Sequence, residues 1–372
     1  MNARRLAVAA AAALAMTAVS ACSSTPPSKS GGNSSAAATA TSAADLGGMS
    51  KLVAAAKKEG SLNVIALPPD WANYGAIIKA FSDKYGIKVN SAQPDAASQD
   101  EINAAKQLKG RPTAPDVFDL GQAVALANTD LFAPYKVSDF DKIPSQFKDA
   151  DGTWVNDYGG YMSIGYDSKK VPAVKSVSDL LKPAYKGKVA LNGDPTQAGA
   201  AFSGVVMAAV ANGGSADDIS PGVKFFSQLK KAGNFLPVDP TPATIESGQT
   251  PVVIDWDYTN AAETAKLPSW KVVVPGNQPV GGYYYQAINK DAPHPAAARL
   301  WEEYLYSAEG QNGFLAGGAR PVLADQMKTD GTLDTADYAK LPAVKGTPVL
   351  LTQDQNTKAA DYLAKNWASA VK

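Results

Sequence analysis

The sequence predicts an α/β protein of two lobes, joined by extended crossings, with a ligand cleft between them. Apolar strand patterns alternate with amphipathic helix patterns from residue 49 onward, an order typical of a largely parallel sheet covered by helices. An extended, glycine-containing stretch at 153–167 interrupts this alternation, which then resumes. Residues 49–372 are also more than one domain usually holds, so two lobes are expected.

Residues 49–158 are predicted to form the first part of lobe 1. Its elements are a helix in "SKLVAAAKKEG", the strand "LNVIAL", a helix in "AIIKAFSDKYG", the strand "IKVNSA", a helix at 98–109 and the strand "PDVFDL". Apolar residues recur at helical spacing in the helices, and the strands are short apolar runs. The first two helices each end at a glycine, Gly60 and Gly86, which is a common way for a helix to terminate.

Residues 159–285 are predicted to form the first part of lobe 2. They contain the strand "KVALN", helices at 196–211 and 221–232, the strand "PVVIDW", a helix at 257–266 and the strand "KVVVP". A central strand, "GGYYYQAINK", then leads into a return to lobe 1 over 286–325. Residues 326–372 are assigned to lobe 2 as its C-terminal helices, the last near 355–370. Two lobes connected in this way permit hinge closure over a ligand.

The first 48 residues predict export and attachment to a membrane. Residues 1–21 hold two arginines, an apolar run too short for a comfortable membrane span, and then small residues; this is the order of a signal peptide. Cys22, the sole cysteine, follows in a segment that resembles a bacterial lipobox. This resemblance implies cleavage before Cys22 and a lipid on its sulfur. Residues 22–48 are almost uncharged and poor in large apolar side chains, so we expect them to form a disordered tether. The choice between the Sec and Tat export routes stays open.

The composition excludes several classes of function. Lys plus Arg and Asp plus Glu are both 35, and no basic run follows residue 5, which argues against a nucleic-acid partner. One histidine and one cysteine exclude Ser-His-Asp, Cys-His and multi-histidine metal chemistry within the chain. The sequence also lacks a P-loop and a dinucleotide-binding fingerprint. We therefore expect a protein that is not an enzyme and that has no cofactor and no metal site.

Acidic and aromatic residues follow the predicted strands, where ligands bind in open α/β sheets. Carboxylates beside aromatic rings suit an ammonium group, through charge and cation–π attraction. Helix capping is an alternative for the acids, because Asp is a preferred N-cap residue; packing in the core is the alternative for the aromatic rings. The strand-end residues are Asp70, Trp71, Tyr74, Asp119 and Gln122 in lobe 1, and Asp194, Gln197, Asp255, Trp256, Asp257 and Tyr258 in lobe 2.

The folded region resembles the extracellular solute-binding proteins of bacterial ABC importers, within the polyamine, iron(III) and phosphonate group. The similarity lies in "AAAKKEGSLNV", "DWANYGAIIKAFSDKYGIKV", "SVSDLLKPAYKGKVAL" and "APHPAAARLWEEYLYSAEGQ". This resemblance implies the type II two-lobe fold with a central cleft. It also implies an ABC permease and an ATPase subunit as partners, with a small molecule as the ligand.

The resemblance also suggests roles for individual residues. In polyamine receptors the tyrosine of a Trp-x-x-Tyr turn lines the pocket, which corresponds to Tyr74, and Trp256 and Asp194 match two further pocket positions. Gln197 replaces a second acid of those receptors. The central strand, which there carries Trp-x-Asp, reads Tyr284-Tyr285-Gln286 here. We include Tyr284 and Gln286 among the candidate ligand contacts, and we expect a smaller amine or zwitterion rather than a long polyamine.

The resulting hypothesis is a lipid-anchored, monomeric receptor on the outer face of the cell membrane. It captures a small polar, amine-containing solute by lobe closure and delivers it to a permease; its contact with the membrane is through the lipid alone. Four alternatives stay open. The same fold could bind an anion such as a phosphonate at its helix N-termini, or it could bind iron(III). A hydrolase with an Asp pair in the cleft and a purely structural lipoprotein are alternatives of other classes.

Overall fold

The computed structural model describes residues 32–342 and 344–371. The strands are β1 (Ser61–Ile65), β2 (Lys88–Ala92), β3 (Val117–Leu120), β4 (Phe132–Ala133), β5 (Val155–Asp167), β6 (Val189–Leu191), β7 (Val252–Trp256), β8 (Trp270–Val273), β9 (Gly281–Asn289) and β10 (Arg320–Pro321). The α-helices are α1 (Gly32–Thr39), α2 (Met49–Glu59), α3 (Tyr74–Tyr85), α4 (Ser98–Gln107), α5 (Gln122–Leu126), α6 (Gly199–Ala211), α7 (Ser220–Lys231), α8 (Pro242–Glu246), α9 (Asp257–Lys266), α10 (Pro295–Leu305), α11 (Ala308–Ala316), α12 (Ala324–Asp330), α13 (Thr335–Tyr338) and α14 (Gln353–Val371).

The α/β class is confirmed, but the prediction of a largely parallel sheet is wrong. β1 and β2 form a parallel pair of their own, and the larger sheet has the strand order β3-β9-β5-β7-β6. In that sheet β6 and β7 are parallel, whereas β5 is antiparallel to both β7 and β9, and β3 is antiparallel to β9. β5 and β9 run antiparallel to each other and to their other neighbours in this sheet, and apolar periodicity along the chain cannot reveal strand direction.

The extended stretch predicted at 153–167 is confirmed as β5. Its first half, Val155 to Tyr161, pairs with β9, and its second half, Met162 to Asp167, pairs with β7 and β8. β5 therefore runs from the sheet of lobe 1 into that of lobe 2. Lobe 1 is completed by α2 and α10, which pack together over β1, and by α3 and α11. In lobe 2, α6 packs against α7 and β7 and is buried over most of its surface.

The final assignment, 326–372 to lobe 2, needs a correction. α14 does pack against α7 of lobe 2, although it also contacts α5. The chain just after α12 lies against lobe 1, because Asn312 of α11 donates from Nδ2 to the Thr332 carbonyl at 2.8 Å and accepts from the Asp334 amide at 2.9 Å. Polar side chains on a partner helix decide where this segment lies, and the sequence of the segment alone does not contain that information.

The disordered tether predicted for residues 22–48 includes residues that are folded in the structure. Residues 32–39 form α1, a 3-10 turn follows at Ala43–Leu46, and Ala37 and Ala43 are buried. The buried guanidinium of Arg299 on α10 donates to the carbonyls of Ala38 and Ala40 at 3.0 and 2.8 Å. Since a buried guanidinium must be hydrogen-bonded, these carbonyls hold the segment against α10. The signal peptide and Cys22 lie outside the described residues.

Among the helices of the described residues, none combines the length and apolarity needed to cross a bilayer.

Candidate functional site

A cleft of about 620 Å³ lies where the predicted strand ends of the two lobes face each other. This volume falls within the range of small-molecule sites, ~300–1,000 Å³. Lobe 1 contributes the turn after β1, the start of α4 and the end of β3. Lobe 2 contributes the turn between β6 and α6, the loop before α8, and the end of β7 with α9.

The lining of the cleft is strongly acidic. Among the described residues that line it, no Lys or Arg is present. Closely spaced carboxylates without a cation raise one another's pKa, and they attract a cationic guest. The acidic side chains in the lining are Asp70, Asp95, Asp100, Glu101, Asp119, Asp194, Asp239, Asp255 and Glu263.

Asp119, at the end of β3, is the buried acid of lobe 1. Its Oδ2 accepts a hydrogen bond from the Tyr158 hydroxyl at 2.8 Å, and its Oδ1 has no hydrogen-bond partner within the described part of the chain. Burial raises the pKa of Asp119 to about 7, although the Tyr158 and Tyr74 hydroxyls lower it. Beside it, Glu101 of α4 accepts from the Asp119 amide at 3.1 Å, and burial raises the pKa of Glu101 well above its usual range.

Asp255, in β7, is the buried acid of lobe 2. Its Oδ1 accepts from the Trp256 amide at 2.7 Å and its Oδ2 accepts from Nδ2 of Asn192 at 2.9 Å. Burial raises the pKa of this carboxyl to about 7 as well. Each lobe therefore contributes a desolvated carboxyl group that is poised to lose its proton when a cation arrives.

Trp71 and Tyr284 are the predicted aromatic residues that line the cleft. Trp71 donates from Nε1 to the Tyr158 hydroxyl at 2.7 Å, and its ring meets Tyr258 and Tyr284 edge-on, each with centroids 5.7 Å apart. Trp256 donates from Nε1 to the Tyr284 hydroxyl at 3.3 Å. These contacts fix the orientation of Trp71 and Tyr284, so that they form a rigid wall beside the acids.

Trp256 and Gln122 line an adjoining cavity of about 30 Å³, which shares Tyr284 and Gly199 with the cleft. That volume has room for about one water molecule. Gln122 donates from Nε2 to the Leu351 carbonyl at 3.3 Å, which ties the start of α5 to the chain that leads into α14. These two predicted residues therefore lie beside the main cleft rather than in its wall.

Tyr74, Tyr258 and Gln286 lie behind the wall and are buried. Gln286 donates from Nε2 to the Tyr74 hydroxyl at 2.9 Å and to Asp157 Oδ2 at 3.0 Å. The Tyr74 and Tyr258 rings pack edge-on against Tyr158. Their predicted role as ligand contacts is not supported by this arrangement, because they support the residues that face the cleft.

Asp257, a predicted ligand contact, has a carboxylate that is engaged away from the cleft. Its Oδ2 forms an ion pair with Nη1 of Arg320 at 2.6 Å, and its Oδ1 accepts from the amides of Tyr161 and Tyr258 at 2.9 and 3.1 Å. Burial raises the pKa of Asp257 and Arg320 opposes that rise. The carboxylate is fully engaged in holding the start of α9 to β5 and β10, and it does not line the cleft.

Asp70, Asp194 and Gln197 line the cleft as predicted. Asp70 is exposed and lies 3.3 Å from Nζ of Lys266. Asp194 accepts from the amide and the hydroxyl of Thr196 at 2.9 and 2.6 Å, so it stabilises its own turn; α6 begins later, after Ala198. The capping alternative is therefore wrong for Asp194 with respect to α6.

Sequence reasoning missed Glu101, Tyr158 and Glu263. Glu101 and Glu263 lie within helical segments, where an acidic residue ordinarily indicates a solvated face, and Tyr158 lies within the extended crossing. The helical faces that carry Glu101 and Glu263 are turned toward the cleft by tertiary packing. Among the described residues, no group of three or more His, Cys, Asp or Glu has a geometry that could hold a metal ion.

Comparison with known proteins identifies relatives of the same architecture. A family model described as bacterial extracellular solute-binding protein matches residues 116–343. The agropinic acid complex of AgtB from A. tumefaciens R10 is 16% identical with a TM-score of 0.67, covering 84% of this chain and 98% of that one. A ferric binding protein from Campylobacter jejuni is 17% identical with a TM-score of 0.62, covering 83% and 99%. A candidate spermidine/putrescine ABC transporter protein from Listeria monocytogenes is 13% identical with a TM-score of 0.62, covering 83% and 98%. At these identities the solved structures show the fold.

Proposed function

This chain belongs to the bacterial extracellular solute-binding protein family, and from that premise we propose that its ligand is a small amine, captured between the two lobes and delivered to an ABC permease driven by an ATPase subunit. The observation that carries the proposal is the lining of the cleft, which among its described residues holds nine acidic side chains and no lysine or arginine. Lys266 lies outside this lining and contacts two of its acids, Asp70 and Glu263. A phosphonate would be repelled by such a lining, whereas an ammonium group compensates it.

The ammonium group would bind between Asp119 and Asp255, with Trp71 and Tyr284 beside it. Cation–π contact with such rings contributes ~0.5–2 kcal/mol, depending on desolvation. Because one buried carboxyl group comes from each lobe, a cation interacts with both only when the lobes are closed. Binding would therefore shift the population toward the closed state.

A solute screen tests the proposal. Calorimetric titration with primary amines, alkylphosphonates and iron(III) citrate should give binding with at least one amine and none with the phosphonates. Binding of a phosphonate or of iron, with no heat from any amine, would contradict the amine assignment and leave the family assignment intact.

The affinity for an amine should depend on pH. Asp119 and Asp255 have pKa values of about 7, and a bound ammonium lowers the pKa of a neighbouring carboxyl group. The two carboxyl groups therefore bind protons more tightly in the free protein than in the complex. As a result, the affinity for the amine is highest above pH 7 and falls as the pH drops below 7. From pH 8 to pH 6 we expect about a tenfold loss for each carboxyl group that contacts the ammonium. Titrations in buffers of different ionisation enthalpy would measure the released protons, and a flat profile would contradict the prediction.

The membrane anchor also belongs to the proposal, since Cys22 lies outside the described residues. We expect Cys22→Ala to move the exported protein from the membrane fraction into the soluble fraction, because no thiol remains to carry lipid. A Cys22→Ala protein that still sediments with membranes would contradict this expectation. The monomeric state likewise stays a prediction.

A further inference from the structure

Lys266, the last residue of α9, stands at the mouth of the acid-lined cleft. Its Nζ lies 3.3 Å from Asp70 Oδ2, 3.8 Å from Glu263 Oε1 and 3.9 Å from Glu246 Oε1. Asp70 follows β1 in lobe 1, whereas the two glutamates belong to lobe 2. The ammonium group of Lys266 therefore bridges the two lobes beside two acids that line the cleft, Asp70 and Glu263.

The acids around this ammonium have capacity for a further hydrogen-bond donor. Glu263 is 3% exposed, and its Oε2 has no hydrogen-bond partner among the described residues; the same holds for the Thr259 hydroxyl, one turn earlier on α9. Both residues line the cleft. A buried carboxylate oxygen without a donor is costly, and three carboxylates face a single lysine here. The mouth of the cleft is thus able to accept a second cation.

We propose that Lys266 is a tethered cation that occupies the mouth of the cleft in the free protein and thereby determines selectivity between amines with one and with two ammonium groups. The inference rests on the proposed amine-binding function. Asp119, Asp255 and Glu263 line the same cleft, so a diamine that extends from the first two to Glu263 must compete with Lys266 there. A monoamine does not reach that position and is not affected in this way.

The lysine is suited to displacement. Its side chain is 41% exposed, and that of Asp70 is 67% exposed; ion pairs between such exposed groups are weak because water competes for both partners. The end of a helix favours a nearby cation, which keeps Lys266 close to the site when it is released. In the free protein the same weak contact spans the two lobes, so its removal should also shift their equilibrium toward the open form.

The test compares 1,4-diaminobutane with n-butylamine, which share one chain length and differ by one ammonium group. Titration of the wild type, Lys266→Gln and Lys271→Gln gives the two affinities for each protein. Lys271 is a matched control, since it is exposed in β8 and donates to the Pro268 carbonyl, away from the cleft lining. We expect Lys266→Gln to tighten diaminobutane binding about tenfold and butylamine binding less than threefold, and Lys271→Gln to change neither by more than twofold.

Each other outcome overturns the inference. Equal changes for the two amines would show that Lys266 acts on overall charge alone, and weaker diamine binding would show that it contributes to the site. If the wild type and Lys266→Gln both bind no amine, the proposed function and the competition fail together. Small-angle scattering of the ligand-free proteins tests the contact between the lobes separately. Lys266→Gln should have a larger radius of gyration than the wild type. An equal radius would show that the contact does not affect how far the lobes are apart.

Discussion

Gly199→Ala is expected to abolish tight solute binding by preventing the lobes from closing. Gly199 is the first residue of α6 in lobe 2, and Gly121 follows β3 in lobe 1. A β-carbon built on Gly199 would lie 2.9 Å from the Cα of Gly121, and one built on Gly121 would lie 2.7 Å from the Cα of Gly199. Backbone atoms on both sides leave no flexible side chain that could yield. One of the two backbones must therefore shift, and we expect this to hold the lobes apart and to weaken the ligand's contacts with one of them.

We expect at least a hundredfold loss of affinity for Gly199→Ala, measured by calorimetry with whichever amine binds the wild type. Scattering in the presence of that amine should show a larger radius of gyration than for the liganded wild type. Ala211→Val is the control, because Ala211 is exposed at the other end of α6. Wild-type affinity in Gly199→Ala would mean that the Gly121–Gly199 contact is not part of the ligand-bound state.

Asp119→Asn is expected to weaken amine binding by about tenfold to a hundredfold, the range of a lost charged hydrogen bond of ~1.5–3 kcal/mol. An asparagine oxygen can still accept from the Tyr158 hydroxyl, so the wall beside it should be preserved. The ionised form of the buried Asp119 carboxyl group, whose pKa is raised to about 7, lowers the stability of the folded protein because it is desolvated. The substitution removes this cost. At pH 8 we therefore expect a melting temperature equal to or above that of the wild type, together with a shallower dependence of affinity on pH.

Asp257→Asn provides the contrast. It breaks a buried ion pair with Arg320, and the loss of one partner of such a pair costs ~3–5 kcal/mol of stability. Since the Asp257 carboxylate lies outside the cleft, its folded protein should bind the amine with nearly the wild-type affinity. Two outcomes would contradict the roles given to these residues. One is lower stability with normal affinity in Asp119→Asn, and the other is normal stability with lower affinity in Asp257→Asn.

Three consecutive residues at the end of β7 illustrate why the candidate site could be only partly predicted. Asp255, Trp256 and Asp257 follow one another at the end of one strand. The sequence predicts that Trp256 and Asp257 contact a ligand, and it marks Asp255 only as a strand-end residue. Asp255 faces the cleft, Trp256 borders the small cavity, and Asp257 is paired with Arg320, 63 residues later in the chain. Which of them meets a ligand depends on the direction of each side chain at the end of β7 and on that remote arginine.

The sequence by itself determined the α/β class, the extended crossing at β5 and the concentration of acids and aromatic rings at strand ends, because periodicity and strand termini are local properties of the chain. Tertiary structure alone decided the antiparallel pairing, the packing of α1 onto α10, and the orientation of Glu101 and Glu263 toward the cleft. Those features depend on partners that are distant in sequence. α1 packs onto α10 because the carbonyls of Ala38 and Ala40 accept hydrogen bonds from Arg299. Glu101 and Glu263 face the cleft because the opposite lobe lies across from their helices. A pattern read along one segment contains no information about atoms that approach it from another.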